Sequence, residues 1–168
     1  MRFNEKFKPL IKNTDCRYYI LTGGRGSSKS FSVTSMATAL TFERGHRILF
    51  TRYTMSSAHL SIIPEFIEKT SLMDVEHVFR INKADITNIF TGSDILFRGI
   101  KTSAGNQTAN LKSLQGVTTW IMDEAEELID EDIFDTIDLS VRQKDQQNRI
   151  ILILNPTTKE RWIYKRFF

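Results

Sequence analysis

The sequence predicts an α/β domain with a central, mostly parallel sheet flanked by helices and with antiparallel strands at one edge. Three observations lead there. Residues 18–51 run strand, helix, strand, a βαβ unit whose two strands must lie parallel. A glycine-rich turn, Gly23-Gly24-Arg25-Gly26-Ser27-Ser28-Lys29-Ser30, joins the first strand to the helix. Short β-branched and aromatic runs between 77 and 99 are separated by hairpin punctuation, Asn82-Lys83-Ala84-Asp85 and Gly92-Ser93.

Size and composition agree with one globular unit. A chain of 168 residues, 40% hydrophobic, can bury a real core. Lone Cys16 excludes an internal disulfide framework and suits a reducing compartment. No uncharged apolar run is long enough to span a bilayer, and the first residues lack the apolar centre of a signal peptide. The net charge of +3 permits contact with nucleic acid without requiring it.

Residues 1–16 read as a lead-in in which Phe3, Phe7 and Leu10 form an apolar strap over the core; the alternative places them beside a nucleotide base. Tyr18–Leu21 is the first buried strand. Val33, Met36, Ala37 and Leu40 then fall at helical spacing, and Gly45 ends the run. Arg47–Thr51 is the second strand. Leu60, Ile63, Phe66 and Ile67 share a face of a helix over 56–70, with Pro64 as a kink or restart. Val78–Ile81, Ile86–Phe90 and Ile95–Phe97 are the antiparallel edge strands. Residues 101–116 are polar, either a plain surface loop or one touching DNA or a neighbouring subunit. Thr118–Met122 is a buried strand, Ile133, Phe134, Ile137 and Leu139 suggest a helix after it, and Arg149–Leu154 is the most apolar strand. The last ten residues are helical.

Two motifs carry chemistry. In G-x-x-x-x-G-K-[ST], Gly23 fills the first place, Lys29 and Ser30 the last two, and Ser28 replaces the second glycine. Such a turn points backbone amides at phosphate, with Lys29 reaching the β/γ-phosphates and the Ser30 hydroxyl on Mg²⁺. The second motif is Trp120-Ile121-Met122-Asp123-Glu124, an apolar strand delivering Asp at the sheet edge where ligands bind in open α/β folds. Asp123 is the metal residue and Glu124 the one placed to polarise water. An acidic helix start explains Asp-Glu alone, but not its pairing with the upstream turn. Asn155, ending a strand before Pro156, is either a turn starter or a γ-phosphate sensor. A dinucleotide fingerprint is excluded because Lys29 stands at its third glycine, and scattered His46, His59 and His77 offer no metal-hydrolase site.

Taken in order, Gly-Gly-Arg-Gly-Ser-Ser-Lys-Ser, Trp-Ile-Met-Asp-Glu-Ala-Glu-Glu and Ile-Leu-Asn-Pro-Thr resemble the N-terminal ATPase domain of tailed-bacteriophage terminase large subunits. Arg98-Gly99 after a strand and the closing Arg161–Phe168 stretch are similar as well, so the likeness covers nearly the whole chain. It implies a RecA-like P-loop NTPase with an additional strand between the two Walker strands, using ATP and Mg²⁺. It further implies a motor that drives double-stranded DNA into the prohead during genome packaging in the host cytoplasm. The implied partners are DNA, the portal protein, the small terminase subunit and copies of itself in a ring, with no membrane; an isolated domain would be a monomer. By motif, the resemblance implies that Gly23, Gly24, Arg25, Gly26, Ser27, Ser28, Lys29 and Ser30 bind nucleotide. Arg25, Lys29 and Glu124 are then catalytic, Ser30 and Asp123 hold metal, and Asn155 couples. Without the family, Arg25 reads as an exposed loop arginine.

A ring ATPase takes a transition-state arginine from its neighbour. Arg98, Lys112 and Arg142 are the candidates, each otherwise a solvated surface charge. The resemblance implies a lid and an RNase H-like nuclease domain that this chain lacks, so residues 1–168 are read as a single ATPase domain from the N-terminal part of a longer chain, which does not cut DNA. Two alternatives stay open: a helicase-like P-loop ATPase, and a nucleotide-binding assembly module without efficient turnover.

Overall fold

The computed structural model describes residues 4–54, 62–102, 105–106, 111, 114–155 and 158–168. Among them, eight strands form one sheet: β1 (Tyr18–Thr22), β2 (Arg47–Thr54), β3 (Phe79–Ile81), β4 (Asp85–Asn88), β5 (Asp94–Thr102), β6 (Gly105–Asn106), β7 (Thr119–Met122) and β8 (Arg149–Leu154). The order across the sheet is β1-β8-β7-β2-β5-β4-β3, and β6 pairs with the far end of β5. The β1–β8, β8–β7, β7–β2 and β2–β5 pairs are parallel, while β5–β4, β4–β3 and β5–β6 are antiparallel.

Among the described residues five α-helices accompany the sheet: α1 (Pro9–Lys12), α2 (Lys29–Leu40), α3 (Ile63–Leu72), α4 (Glu131–Asp138) and α5 (Trp162–Phe167). Alternation along the strands splits the core into two halves. One contains Ile48, Phe50, Ile121, Ile151 and Ile153 against Val33 and Met36 of α2 and Ile63 and Phe66 of α3. The other contains Leu49, Trp120, Ile150 and Leu152 against Phe134 and Ile137 of α4 and Ile163 of α5. A sheet covered on both faces makes its inner strands apolar throughout, and every residue of β7 and β8 is buried.

The α/β class, the parallel centre and the antiparallel edge agree with the sequence reading. β8 lies between β1 and β7, so the phosphate-loop strand and the Asp123 strand are separated by one strand. The run at 95–97 differs: it belongs to β5, which pairs parallel with β2 and only its other side with the hairpin. The edge proper is β3–β4. Phe90 is exposed rather than in a strand, because residues 89–92 form the turn that Asn88 closes by accepting from Phe90 N (3.0 Å). Pro64 sits in the first turn of α3, where its missing N–H costs nothing; the part of the expected 56–70 helix before it lies largely outside the described residues. Ile67 and Leu139 are exposed, off the apolar faces assigned to them. Phe7 and Leu10 are buried with Tyr19 and Leu21, which is the strap arrangement. Phe3, His59, Leu60, Lys112 and most of the 103–113 loop lie outside the described residues. No described helix is long and apolar enough to cross a membrane.

Candidate active site

The C-terminal ends of β1, β7, β2 and β8 place their following residues at one edge of the sheet, and three of these strands also share a face there. Because side chains alternate, Arg52 lies on the same face as Phe50, Asp123 on that of Ile121, and Asn155 on that of Ile153. That is the face α2 covers. The result is a cavity of about 290 Å³ lined by Arg25, Gly26, Ser27, Ser28, Lys29, Ser30, Phe31, Arg52, Asp123, Glu124 and Asn155, together with Ile153 and Leu154. It is small for a ligand pocket and polar, which suits a phosphate tail better than an apolar molecule.

The loop 23–28 turns tightly enough to require two left-handed residues. Gly26 takes φ 76° freely, while Ser28 takes φ 64° and ψ 17°, an arrangement that costs a side-chain-bearing residue on the order of 1 kcal/mol. Ser28 has no side-chain hydrogen bond to the helix it precedes, so the first amides of α2 remain available to an anion, with the positive end of the helix dipole behind them. The Lys29 ammonium folds back on the loop, donating to the Gly23 carbonyl, to Gly24 O at 3.0 Å and to Ser27 Oγ at 3.1 Å. Lys29 is buried, and these three acceptors replace its water. A phosphate at the loop competes for the same three protons of that ammonium.

Opposite the loop, β7 delivers Asp123, whose N–H bonds Thr51 O at 3.0 Å, so the turn after β7 hangs on β2. Glu124 then adopts φ 53° and ψ 45°. Four described non-glycine residues lie in the left-handed region; Asp74 and Asp145 are of a type that tolerates it, and the other two, Ser28 and Glu124, both line this cavity. Burial raises the Glu124 carboxyl above the usual range; Arg52 pulls it down, and Asp123, Glu127 and Glu126 push it up again.

Two residues that the sequence reading missed complete the site. Arg52 donates to Asp123 Oδ2 through Nε (3.0 Å) and Nη2 (2.7 Å), and Nη2 lies 3.3 Å from Glu124 Oε1. A guanidinium therefore occupies the side of Asp123 that faces Glu124. Glu126 accepts from Asn155 Nδ2 (2.8 Å) and from the Asn155 backbone N–H (3.3 Å), tying the turn after β7 to the end of β8. The signal for Arg52 was its place one residue past Thr51, but only the β2–β7 pairing puts that residue beside Asp123.

Of the sequence-predicted residues, Arg25, Lys29, Ser30, Asp123, Glu124 and Asn155 meet in one cavity. Arg98 does not: its Nη1 donates to Ala84 O, Asp85 Oδ1 and Phe97 O within its own subunit. Arg142 is exposed in the loop before β8, at the opposite end of that strand from Asn155. As for a metal, no cluster of three or more His, Cys, Asp or Glu ligands occurs among the described residues. The donors present are the Ser30 hydroxyl and the Asp123 carboxylate, a set that fits Mg²⁺, which keeps its waters and takes the rest of its shell from substrate phosphates.

Residues 15–168 match the phage terminase large subunit family. The large terminase subunit of Bacillus phage SPP1 is 26% identical over 186 residues, covering 99% of this chain and 43% of the relative. Among solved structures, the large terminase of a thermophilic bacteriophage superposes with a TM-score of 0.78 at 14% identity, over 99% of this chain and 42% of that one. The same protein in complex with ADP gives 0.73 at 12% identity, with the same coverage. The large terminase ATPase domain of Thermus phage P74-26 gives 0.64 at 18% identity, over 98% of this chain and 74% of that one. At these identities the structural likeness is one of fold, which is thereby RecA-like. The chain spans less than half the length of its SPP1 relative.

Proposed function

Because this chain belongs to the phage terminase large subunit family, we propose that it is the ATP-hydrolysing motor domain that moves double-stranded viral DNA during genome packaging. The observation that carries the reading is one cavity in which the loop Lys29-Ser30 faces Asp123 and Glu124 across the sheet edge. That cavity holds the parts a phosphoryl-transfer site needs: amides and an ammonium for phosphate oxygens, donors for a metal, and a carboxylate for water. The ADP bound by the large terminase of the thermophilic phage belongs to a protein of the same fold.

In this reading the free amides at the start of α2 and the Lys29 ammonium hold the β- and γ-phosphates, and Arg25, exposed on the loop, closes over them. Ser30 and Asp123 hold Mg²⁺, which when bound neutralises charge on the phosphates. Arg52, bonded twice to Asp123 Oδ2, fixes the orientation of that carboxylate. Glu124, held toward the cavity by its left-handed backbone, orients a water and accepts its proton. Asn155 and Glu126 link the occupied site to the end of β8. An arginine or lysine from a neighbouring copy supplies the remaining positive charge, which makes efficient turnover a property of the ring. Portal protein and small terminase subunit are the further partners of that assembly.

Two substitutions test the reading. Lys29→Ala abolishes Mg·ATP binding or turnover, and Glu124→Gln leaves binding largely intact while turnover falls 10²-fold or more, on the order expected for loss of a general base. Undiminished hydrolysis in Lys29→Ala refutes the phosphate-loop assignment. Nucleotide binding without turnover in the parent would instead identify a binding module, and turnover indifferent to Glu124→Gln would remove Glu124 from the role of base.

A further inference from the structure

The Lys29 ammonium has no free proton. Such a group carries three N–H donors and no acceptor. Here the three go to the Gly23 carbonyl, to Gly24 O at 3.0 Å and to Ser27 Oγ at 3.1 Å. Lys29 is only 7% exposed, so little water reaches it and these oxygens stand in for its hydration. A phosphate oxygen therefore gains a proton of this ammonium only when one of the three lets go.

The three acceptors are not equivalent. Gly23 and Gly24 accept through main-chain carbonyls, held by the turn that joins β1 to α2. Ser27 accepts through a hydroxyl on a rotatable side chain, which has no second partner among the described residues. Of the three residues, Ser27 is the one that lines the cavity. Gly23 makes room for it. A Cβ at Gly23 would lie 3.3 Å from Ser27 Oγ, 3.6 Å from Ser27 Cβ and 3.9 Å from Lys29 Nζ. The first glycine of the loop thus opens the space in which hydroxyl and ammonium meet.

We infer that Ser27 is a positioning residue for Lys29: its hydroxyl holds the ammonium in the free site and gives up that hydrogen bond to a phosphate oxygen when nucleotide enters. The inference rests on the proposed ATPase reading only in that the ligand is a nucleotide phosphate. Because one bond breaks as the other forms, the hydroxyl lowers nucleotide affinity. It also takes the ammonium back when a product leaves, which favours release.

The test is titration of a fluorescent ADP analogue in EDTA into the parent chain, Ser27→Ala and Ser27→Thr. Ser27→Ala leaves the buried ammonium one acceptor short in the free site. It is expected to bind the analogue about ten-fold more tightly, the low end for a hydrogen bond to a charged group. Ser27→Thr keeps a hydroxyl on the same carbon, and its affinity is expected to stay near that of the parent. Melting of each variant without nucleotide, followed by circular dichroism, keeps a loss of fold from being read as a change of affinity. Parental affinity in Ser27→Ala overturns the inference, and weaker binding does so too, by making the hydroxyl a ligand of phosphate. Equal tightening in Ser27→Ala and Ser27→Thr also overturns it, since the hydroxyl is then not the cause. If the parent binds no analogue, the ATPase reading fails and the inference with it; if the parent binds and Ser27→Ala is no tighter, only the role of Ser27 fails.

Discussion

Replacing Arg52 with alanine removes the cation that sits on the Asp123 and Glu124 carboxylates and leaves them facing each other. The side chains of Arg52 and Asp123 are 16% and 8% exposed and joined by two bonds of 2.7 and 3.0 Å, so this is a mostly buried, two-pronged pair. Unpairing one partner of such a pair costs about 3 kcal/mol, the low end of the range for fully buried pairs, since some water reaches Arg52. For a chain of this size 1 kcal/mol moves Tm by about 2–4 °C, so Arg52→Ala melts roughly 6–12 °C below the parent in EDTA. Divalent cation reverses the sign of the comparison. With one positive charge fewer beside Asp123, the variant gains more from Mg²⁺ than the parent does, and at a hundred times its Kd a ligand returns about 2.7 kcal/mol. Thermal unfolding followed by circular dichroism, with EDTA and with saturating Mg²⁺, reads both effects. Arg52→Lys falls between, since it keeps the charge and loses the planar fork. Equal melting of variant and parent in EDTA, or a larger Mg²⁺ gain in the parent, refutes the view that Arg52 neutralises the Asp123–Glu124 pair.

Ser28→Gly relieves a left-handed serine, offset by the greater freedom of glycine in the unfolded chain, and raises Tm by about 1–2 °C; a lower Tm would show that the backbone there is not strained. Glu126→Ala removes both acceptors of Asn155 and costs about 1–2 kcal/mol, read most directly as faster hydrogen exchange at the Asn155 amide. Unchanged exchange there would mean that the turn after β7 and the end of β8 are not coupled through this contact. His46 is buried, and burial lowers its pKa below 6.5, with Arg149 adding to the effect and Glu43 opposing it. Its neutral form is thus the one the fold prefers. The associated stability is present in full above 6.5 and is lost as pH falls through the lower folded value. Tm measured between about pH 7 and pH 5 therefore declines more steeply for the parent than for His46→Gln, and parallel curves would remove His46 from the acid response.

How much of this was legible beforehand depends on how local each feature is. Periodicity located β1, α2, β2, β7, α4 and β8 to within a few residues, since alternation and helical spacing are written in neighbouring side chains. The loop at 23–30 and Asp123-Glu124 were equally readable as short-range patterns, and the structure brings both to one cavity. Where local rules failed, they failed at edges. Ile95–Phe97 looked like a third hairpin strand, but only pairing with β2 tells a parallel strand from an antiparallel one of the same composition. Leu139 has the right spacing for the core face of α4, yet it caps the helix and is exposed.

By itself, then, the sequence determined the α/β class, the glycine-rich turn, the acidic strand end and, through its motifs, the family. Only the tertiary structure decided what stands between the two halves of the site. Arg52 and Asp123 are 71 residues apart in the chain and touch because β2 and β7 are neighbours. Glu126 reaches Asn155 because β7 and β8 are neighbours too. Strand order is set by how two core faces and their helices pack as a whole, and no window of residues contains it. The same packing puts Ser28 and Glu124, two residues in a backbone region that favours glycine, on opposite walls of one cavity.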